Sequence, residues 1–146
     1  PKVLHPLGAA PLLHHAMAAG RALAPAGTIV VTGHGAEAVA QAARAFDPGA
    51  RIVHQAKQLG TAHAVAQAAP LLSGAAGEAV VLYGDTPFVR PETLALMLEA
   101  RAAHDVVVLG FEAADPGRYG RLVMDGDTLE RIVEWKEATE AERAVT

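Results

Sequence analysis

Short runs of β-branched and aliphatic residues alternate along this chain with longer stretches whose apolar positions recur every three or four residues, the mark of strands interleaved with amphipathic helices. Residues 12–24 read as a helix opened by Pro11, with Leu12, Leu13, Ala16, Met17 and Leu23 available for its buried face. Residues 28–32 form a strand closed by Gly33-His34-Gly35, and 36–46 a helix that ends at Asp47-Pro48-Gly49. A second strand is expected over 51–54, a helix over 61–69 with Thr61 as its N-cap, and a third strand over 79–83, continuous enough in its apolar character to be buried on both faces. Pro91 opens a helix over 91–103 with Leu94, Met97 and Leu98 on one face, and 105–111 completes the series as a further buried strand. Strands alternating with helices predict a mostly parallel sheet joined by right-handed crossovers.

The pattern then changes. Residues 120–124 and 128–135 flank Asp125-Gly126-Asp127, a hairpin signal with glycine where a positive φ is needed, so an antiparallel β-ribbon is expected to follow the α/β part. A polar, exposed helix is expected over 136–143. No repeat, low-complexity tract or linker divides the chain, and no element closes it at Thr146. The expectation is one α/β domain over 1–146, incomplete at both ends.

Composition narrows the function classes. At 146 residues, half of them apolar, the chain can bury a core. A net charge of −4 with no basic block argues against a nucleic-acid partner but leaves a single nucleotide open. The absence of cysteine excludes disulfides, thiolate zinc sites and a thiol nucleophile. No apolar run reaches the roughly 20 residues of a membrane helix, the start has no signal-peptide layout, and no initiator Met is present, which suggests a trimmed piece of a cytoplasmic protein.

Tyr83-Gly84-Asp85 stands where the apolar run 79–82 ends, just before Pro87. Ligands of open α/β sheets collect beyond the carboxyl ends of the strands, so Asp85 is aimed at a crevice. One carboxylate there suits Mg²⁺, which is held by one or two carboxylates plus phosphate oxygens and water; the plainer reading makes Asp85 a turn residue. Gln55-Ala56-Lys57-Gln58-Leu59-Gly60-Thr61 joins a strand to a helix at the same edge. There Gln55 carries an amide suited to the edge of a base, Gly60 admits a ligand close to the backbone, and the N–H groups from Thr61 onward favour an anion, although capping alone also explains the loop.

Lys2 is a point charge for a phosphate or a solvated end residue. Glu134, beside the sole tryptophan, either accepts hydrogen bonds from sugar hydroxyls or pairs with Lys136. In Tyr119-Gly120-Arg121 the glycine leaves room for a ring or simply enters the hairpin. Gly33-His34-Gly35 resembles the start of a dinucleotide fingerprint, but Ala38 replaces its third glycine, and a tight turn explains it better. The histidines show no i, i+4 pair, His14 and His15 point to different parts of their helix, and Ser73 lacks a nucleophile-elbow setting, so neither zinc chemistry nor covalent catalysis is expected.

Five ordered blocks, Pro1-Lys2-Val3-Leu4-His5, Gln55-x-x-Gln58-Leu59-Gly60-Thr61-x-His63-Ala64, Tyr83-Gly84-Asp85-x-Pro87, Tyr119-Gly120-Arg121 and Ile132-Val133-Glu134, span essentially the whole chain. In them the sequence resembles the uridyltransferase half of the bacterial bifunctional N-acetylglucosamine-1-phosphate uridyltransferase / glucosamine-1-phosphate acetyltransferase family. The resemblance implies a Rossmann-like, GT-A-like nucleotidyltransferase sandwich of three layers. It also implies conversion of UTP and N-acetylglucosamine-1-phosphate to UDP-N-acetylglucosamine and pyrophosphate, for cell-envelope precursors. By the same resemblance Lys2 and Asp85 are catalytic, with Asp85 binding Mg²⁺ and Lys2 contacting nucleotide phosphates. Gln55, Gly60 and Thr61 hold the uridine, and Tyr83, Gly84, Gly120 and Glu134 line the nucleotide-sugar pocket.

The family's glycine-rich triphosphate loop would precede Pro1, and its second metal ligand and its trimerising β-helix acetyltransferase half would follow Thr146. The chain is therefore expected to lack acetyl transfer, to be a weak or inactive uridyltransferase, and to self-associate through unpaired sheet edges. Another nucleoside triphosphate or phosphorylated acceptor, or a non-catalytic nucleotide-sugar-binding module, are the competing readings.

Overall fold

The structure, a computed structural model, describes residues 1–146. They gather into two compact units, Pro1–Ala102 and Ala103–Thr146.

The first unit opens with a 3-10 turn, Lys2–Leu4, and a small antiparallel ribbon of β1 (Pro6–Leu7) and β2 (Ala10–Pro11). Then come α1 (Leu12–Arg21), β3 (Ile29–Thr32), α2 (Ala36–Phe46), β4 (Arg51–His54), α3 (Thr61–Ala66), α4 (Ala69–Leu72) and α5 (Pro91–Arg101). Strands β3 and β4 pair in parallel, Ile29 opposite Arg51 and Thr32 opposite His54, with α2 as the crossover, as the alternation of patterns predicts. Leu13, Val30, Val39, Ala43 and Ala50 form the core. Small side chains let the helices approach closely: Ala16 and Ala19 of α1 and Ala40 and Ala43 of α2 are buried. His14 fastens the two helices, its Nε2–H donating to the Ala42 carbonyl at 2.8 Å while its ring lies 5.2 Å from that of Phe46. His15 faces elsewhere, bonding the Leu7 carbonyl at 2.9 Å. Leu94, only 1% exposed, anchors α5, which packs on α1.

In the second unit β5 (Arg121–Asp125) and β6 (Thr128–Val133) form the expected hairpin. Gly126 takes φ +57° at its tip, and a bulge falls between Val123 and Met124. Arg121, 4% exposed, donates to the carbonyls of Gly117 at 3.1 Å, Arg143 at 3.2 Å and Tyr119. It thereby ties the approach to β5 to the short helix α6 (Glu140–Arg143).

Several expected elements take other forms. Neither 79–83 nor 105–111 is a strand, and neither is buried on both faces: Val81 is 56% and Val106 77% exposed. Apolar, β-branched composition gives strand propensity, but a strand exists only with a hydrogen-bonded neighbour, and here the sheets have two strands each, β3–β4 being the one parallel pair. Helix α1 stops at Arg21 rather than 24, because Ala24 precedes Pro25 and sits at φ +50°, outside the helical region. The helix expected over 61–69 breaks into α3 and α4, with Pro70 in the first turn of α4, where it lacks the N–H a continuous helix needs. Gly60, at φ +94°, is the N-cap of α3, so Thr61 is its first helical residue and not the cap. Of 136–143, only Glu140–Arg143 is helical, because Thr139 supplies a capping box and sets the start there.

Candidate active site

The parallel pairing of β3 with β4 brings the segments after both strands to one edge. From β3 emerges Gly33-His34-Gly35, which turns into α2; from β4 emerges the loop that begins at Gln55. The two segments touch, since a Cβ placed on Gly33 would lie 3.2 Å from Gln58 Nε2. Gly35, at φ +67°, backs directly onto the Pro1 ring, which seats the amino-terminal turn on the same edge.

That turn carries Lys2, whose Nζ donates to Asp85 Oδ2 at 3.0 Å. Asp85 is held in a β-turn rather than at a strand tip: the Thr86 N–H and hydroxyl both bond the Tyr83 carbonyl, at 3.2 and 2.9 Å. Gly84 lies over the amino-terminal turn, where a Cβ would meet Val3 at 3.2 Å and Leu13 at 3.4 Å. The turn points the Asp85 carboxylate at Lys2 on the carboxyl edge of the β3–β4 pair.

Gln55 is 8% exposed. Its Nε2 donates to the Gly60 carbonyl at 3.1 Å and lies 2.9 Å from His63 Nδ1, so the amide bridges both ends of the loop. Of the expected residues, Lys2, Gly84 and Asp85 form one contacting group, and Gln55, Gly60 and Thr61 another. The contacts of Pro1 with Gly35 and of Gly33 with Gln58 join the groups along the edge. Tyr83 contributes its carbonyl to the turn, while its side chain stays exposed. In the second unit Gly120 and Glu134 face each other, Glu134 Oε2 lying 3.9 Å from a Cβ placed on the glycine, and no ion pair joins Glu134 to Lys136.

Sequence reasoning gave no part in the site to Pro1, Gly33, Gly35, Gln58 or His63, and no structural role to Arg121. The two glycines carried a signal, their closing of a strand, but what they abut becomes visible only when the chain is folded. A separate hollow of about 330 Å³, lined by Arg21, Phe46, Thr28 and Gly49 among others, lies at the amino ends of β3 and β4 and contains none of the expected site residues.

The donor set bears on a divalent ion. No three His, Asp or Glu side chains converge in the chain, so there is no closed cage. Asp85, about one-third exposed and bonded through one oxygen only, could offer one carboxylate to a cation such as Mg²⁺, which needs no more than one or two from the protein.

The pattern of a nucleotidyltransferase family, the MobA-like NTP transferase domain, matches the chain over residues 1–146, and the chain belongs to that family. Within that family it is 71% identical, over all 146 residues, to the bifunctional protein GlmU of Cereibacter sphaeroides strain ATCC 17023. It is 66% identical over 145 residues to GlmU of Ruegeria pomeroyi, and 60% identical over 147 to that of Paracoccus denitrificans. The chain spans 32% of the length of these relatives. The resemblance drawn from the five sequence blocks is thereby borne out, and family membership supports the Rossmann-like character expected of the α/β part.

Proposed function

We propose that this chain is the uridylyl-transferring region of a longer enzyme, acting on UTP and N-acetylglucosamine-1-phosphate to give UDP-N-acetylglucosamine and pyrophosphate. The observation that carries the reading is the common edge on which the Lys2–Asp85 pair and the Gln55–Gly60 loop stand, linked through Gly33 and Gly35. The 71% identity to a GlmU protein supports it.

In the proposed reaction a phosphate oxygen of the sugar phosphate attacks the α-phosphorus of UTP in line. A new P–O bond forms, the bond to the bridging oxygen breaks, and pyrophosphate leaves with that electron pair. The acceptor, with a second pKa near 6, is largely dianionic at neutral pH and needs no general base, in keeping with a site that has no Ser, Cys or His constellation. The protein's work is then positioning and charge compensation. Gln55, Gly60 and Thr61 hold the base and ribose. Lys2 moves from Asp85 to nucleotide phosphate, freeing the Asp85 carboxylate. Tyr83 and Gly84 border the nucleotide sugar. Asp85 would hold Mg²⁺, which would supply charge neutralisation at the phosphates.

The same reading makes residues 1–146 part of a GT-A-like nucleotidyltransferase domain of three layers, in a cytoplasmic protein. In it the exposed apolar runs at 80–81 and 106–111 are surfaces that a larger sheet would cover. No helix here is long and apolar enough to cross a membrane.

The test is a panel of nucleoside triphosphates and sugar-1-phosphates read by pyrophosphate release, with and without Mg²⁺, alongside calorimetric binding of UDP-N-acetylglucosamine. Turnover or binding confined to the uridine nucleotides and dependent on Mg²⁺ is expected. Preference for CTP or GTP would overturn the assignment.

A further inference from the structure

Resting on the uridine reading, we infer that His63 is a positioning residue that locks the Gln55 amide so that only its oxygen faces the ligand, making Gln55 a selector for a base with a ring N–H. The argument begins with the Gly60 carbonyl, which can only accept. Because Gln55 Nε2 lies 3.1 Å from it, the nitrogen end of the amide is fixed on that side of the loop. The same nitrogen lies 2.9 Å from His63 Nδ1. An amide nitrogen has no lone pair to offer, so Nδ1 accepts and the imidazole proton sits on Nε2.

The other ring nitrogen meets a second amide nitrogen, which competes for the same single lone pair. Gln67 Nε2 lies 3.3 Å from His63 Nε2 and 3.0 Å from the His63 carbonyl. A neutral imidazole has one acceptor nitrogen, and the shorter contact to Gln55 takes it; Gln67 is therefore held through the carbonyl. Both amide protons of Gln55 are then engaged, one by Gly60 and one by His63, whereas its Oε1 makes no hydrogen bond within the chain.

An amide locked in this way is an acceptor only. At ring position 3, uracil presents an N–H donor and cytosine a lone pair, so the first pairs with Oε1 and the second is repelled. Without His63 the amide can rotate, lose the Gly60 bond and turn its NH₂ outward, which accommodates cytosine. His63 thus acts on nucleobase choice without touching the base, and it differs from a merely structural residue, whose loss would weaken both nucleotides alike.

The experiment has two independent arms on the 146-residue chain. Titration of UTP and CTP into wild type, His63→Ala and His63→Asn is expected to show a UTP preference that falls about tenfold or more in His63→Ala, the scale of one mispaired hydrogen bond. His63→Asn is expected to restore it, since Asn Oδ1 can accept where Nδ1 did. An unchanged UTP-to-CTP ratio in His63→Ala overturns the inference, as does equal weakening of both nucleotides in the two variants. The second arm, imidazole ¹⁵N NMR of the nucleotide-free protein, is expected to show His63 protonated on Nε2; protonation on Nδ1 overturns the lock whatever binds. Should wild type show no UTP preference, the uridine reading fails and the selector role with it, while the tautomer measurement separately decides whether the lock exists.

Discussion

Lys2 and Asp85 stand 83 positions apart in the chain and 3.0 Å apart in space, joined by an ion pair between an exposed ammonium and a partly exposed carboxylate. Exposed pairs of this kind contribute about 0–1 kcal/mol to stability, since water and salt screen both charges. The contact explains little of the fold; under the proposed function each charge has a second partner, a cation for Asp85 and a nucleotide phosphate for Lys2.

That view separates stability from binding. Asp85→Ala and Lys2→Met are each expected to leave the melting temperature within a few degrees of wild type. Asp85→Ala should remove the Mg²⁺ dependence of UDP-N-acetylglucosamine binding, and Lys2→Met should weaken UTP more than uridine. Calorimetry with and without Mg²⁺ checks both; equal Mg²⁺ dependence in wild type and Asp85→Ala would remove the metal role.

Gly35 offers a geometric test of the same edge. Its φ of +67° disfavours any Cβ by about 1–2 kcal/mol, and a Cβ there would also run into Pro1. Gly35→Ala is expected to destabilise the chain by about that amount and to displace the turn that carries Lys2. The loss in UTP affinity should then exceed that of a control at Gly8, which is also left-handed, at φ +64°, but whose added Cβ would meet nothing. Equal effects of Gly35→Ala and Gly8→Ala on UTP binding would detach the amino-terminal turn from the site.

How far these relations can be read from sequence depends on which residues set them. The β3–α2–β4 unit was legible because local signals agree there: Gly33 and Gly35 end a strand, α2 has helical periodicity, and Asp47-Pro48-Gly49 stops it. The hairpin was legible for the same reason, its turn being named by Gly126. Residues 79–83 and 105–111 show the limit, since composition reports that a segment can be a strand and not whether a partner lies beside it. In the site, the chemistry of Asp85 and Gln55 was visible in their residue types. Their partners, Lys2 across the chain and His63 at the next turn, are products of tertiary and loop geometry that no spacing rule encodes.

Arg121 is a buried cation with no carboxylate partner, balanced by three backbone carbonyls, and its Nε has no partner at all. A guanidinium fans its donors over several acceptors, whereas an ammonium is a single point. Arg121→Lys is therefore expected to leave at least one of the Gly117, Tyr119 and Arg143 carbonyls unpaired, at a cost of about 1–3 kcal/mol. Chemical denaturation followed by the fluorescence of Trp135, which lies 4.7 Å from the Arg143 guanidinium, measures it. A shift no larger than that of a surface Arg44→Lys control would show that the carbonyl contacts carry no stability.

A local source of acid-dependent stability is expected in the same unit. Glu142 accepts from Arg131 at 2.7 Å and from the Thr139 N–H and hydroxyl, each at 2.7 Å, while its own N–H bonds the Thr139 hydroxyl at 3.3 Å. The Arg131 hydrogen bond first, and the Thr139 bonds after it, lower its pKa from 4.5 to about 2. A carboxyl that holds protons less tightly when folded stabilises the folded form fully above its unfolded pKa, and that contribution is withdrawn as pH falls from 4.5 toward 2. Trp135 reports the change, since Arg143 of the helix capped by this box donates to its carbonyl at 3.2 Å. Wild type is expected to lose stability across that window, and Glu142→Gln to start lower and to show a flatter acid limb. Thr139→Ala should keep the limb but shrink it, because the Arg131 bond remains while the cap is lost. If Glu142→Gln and wild type lose stability in parallel between these pH values, the box is not the group that titrates.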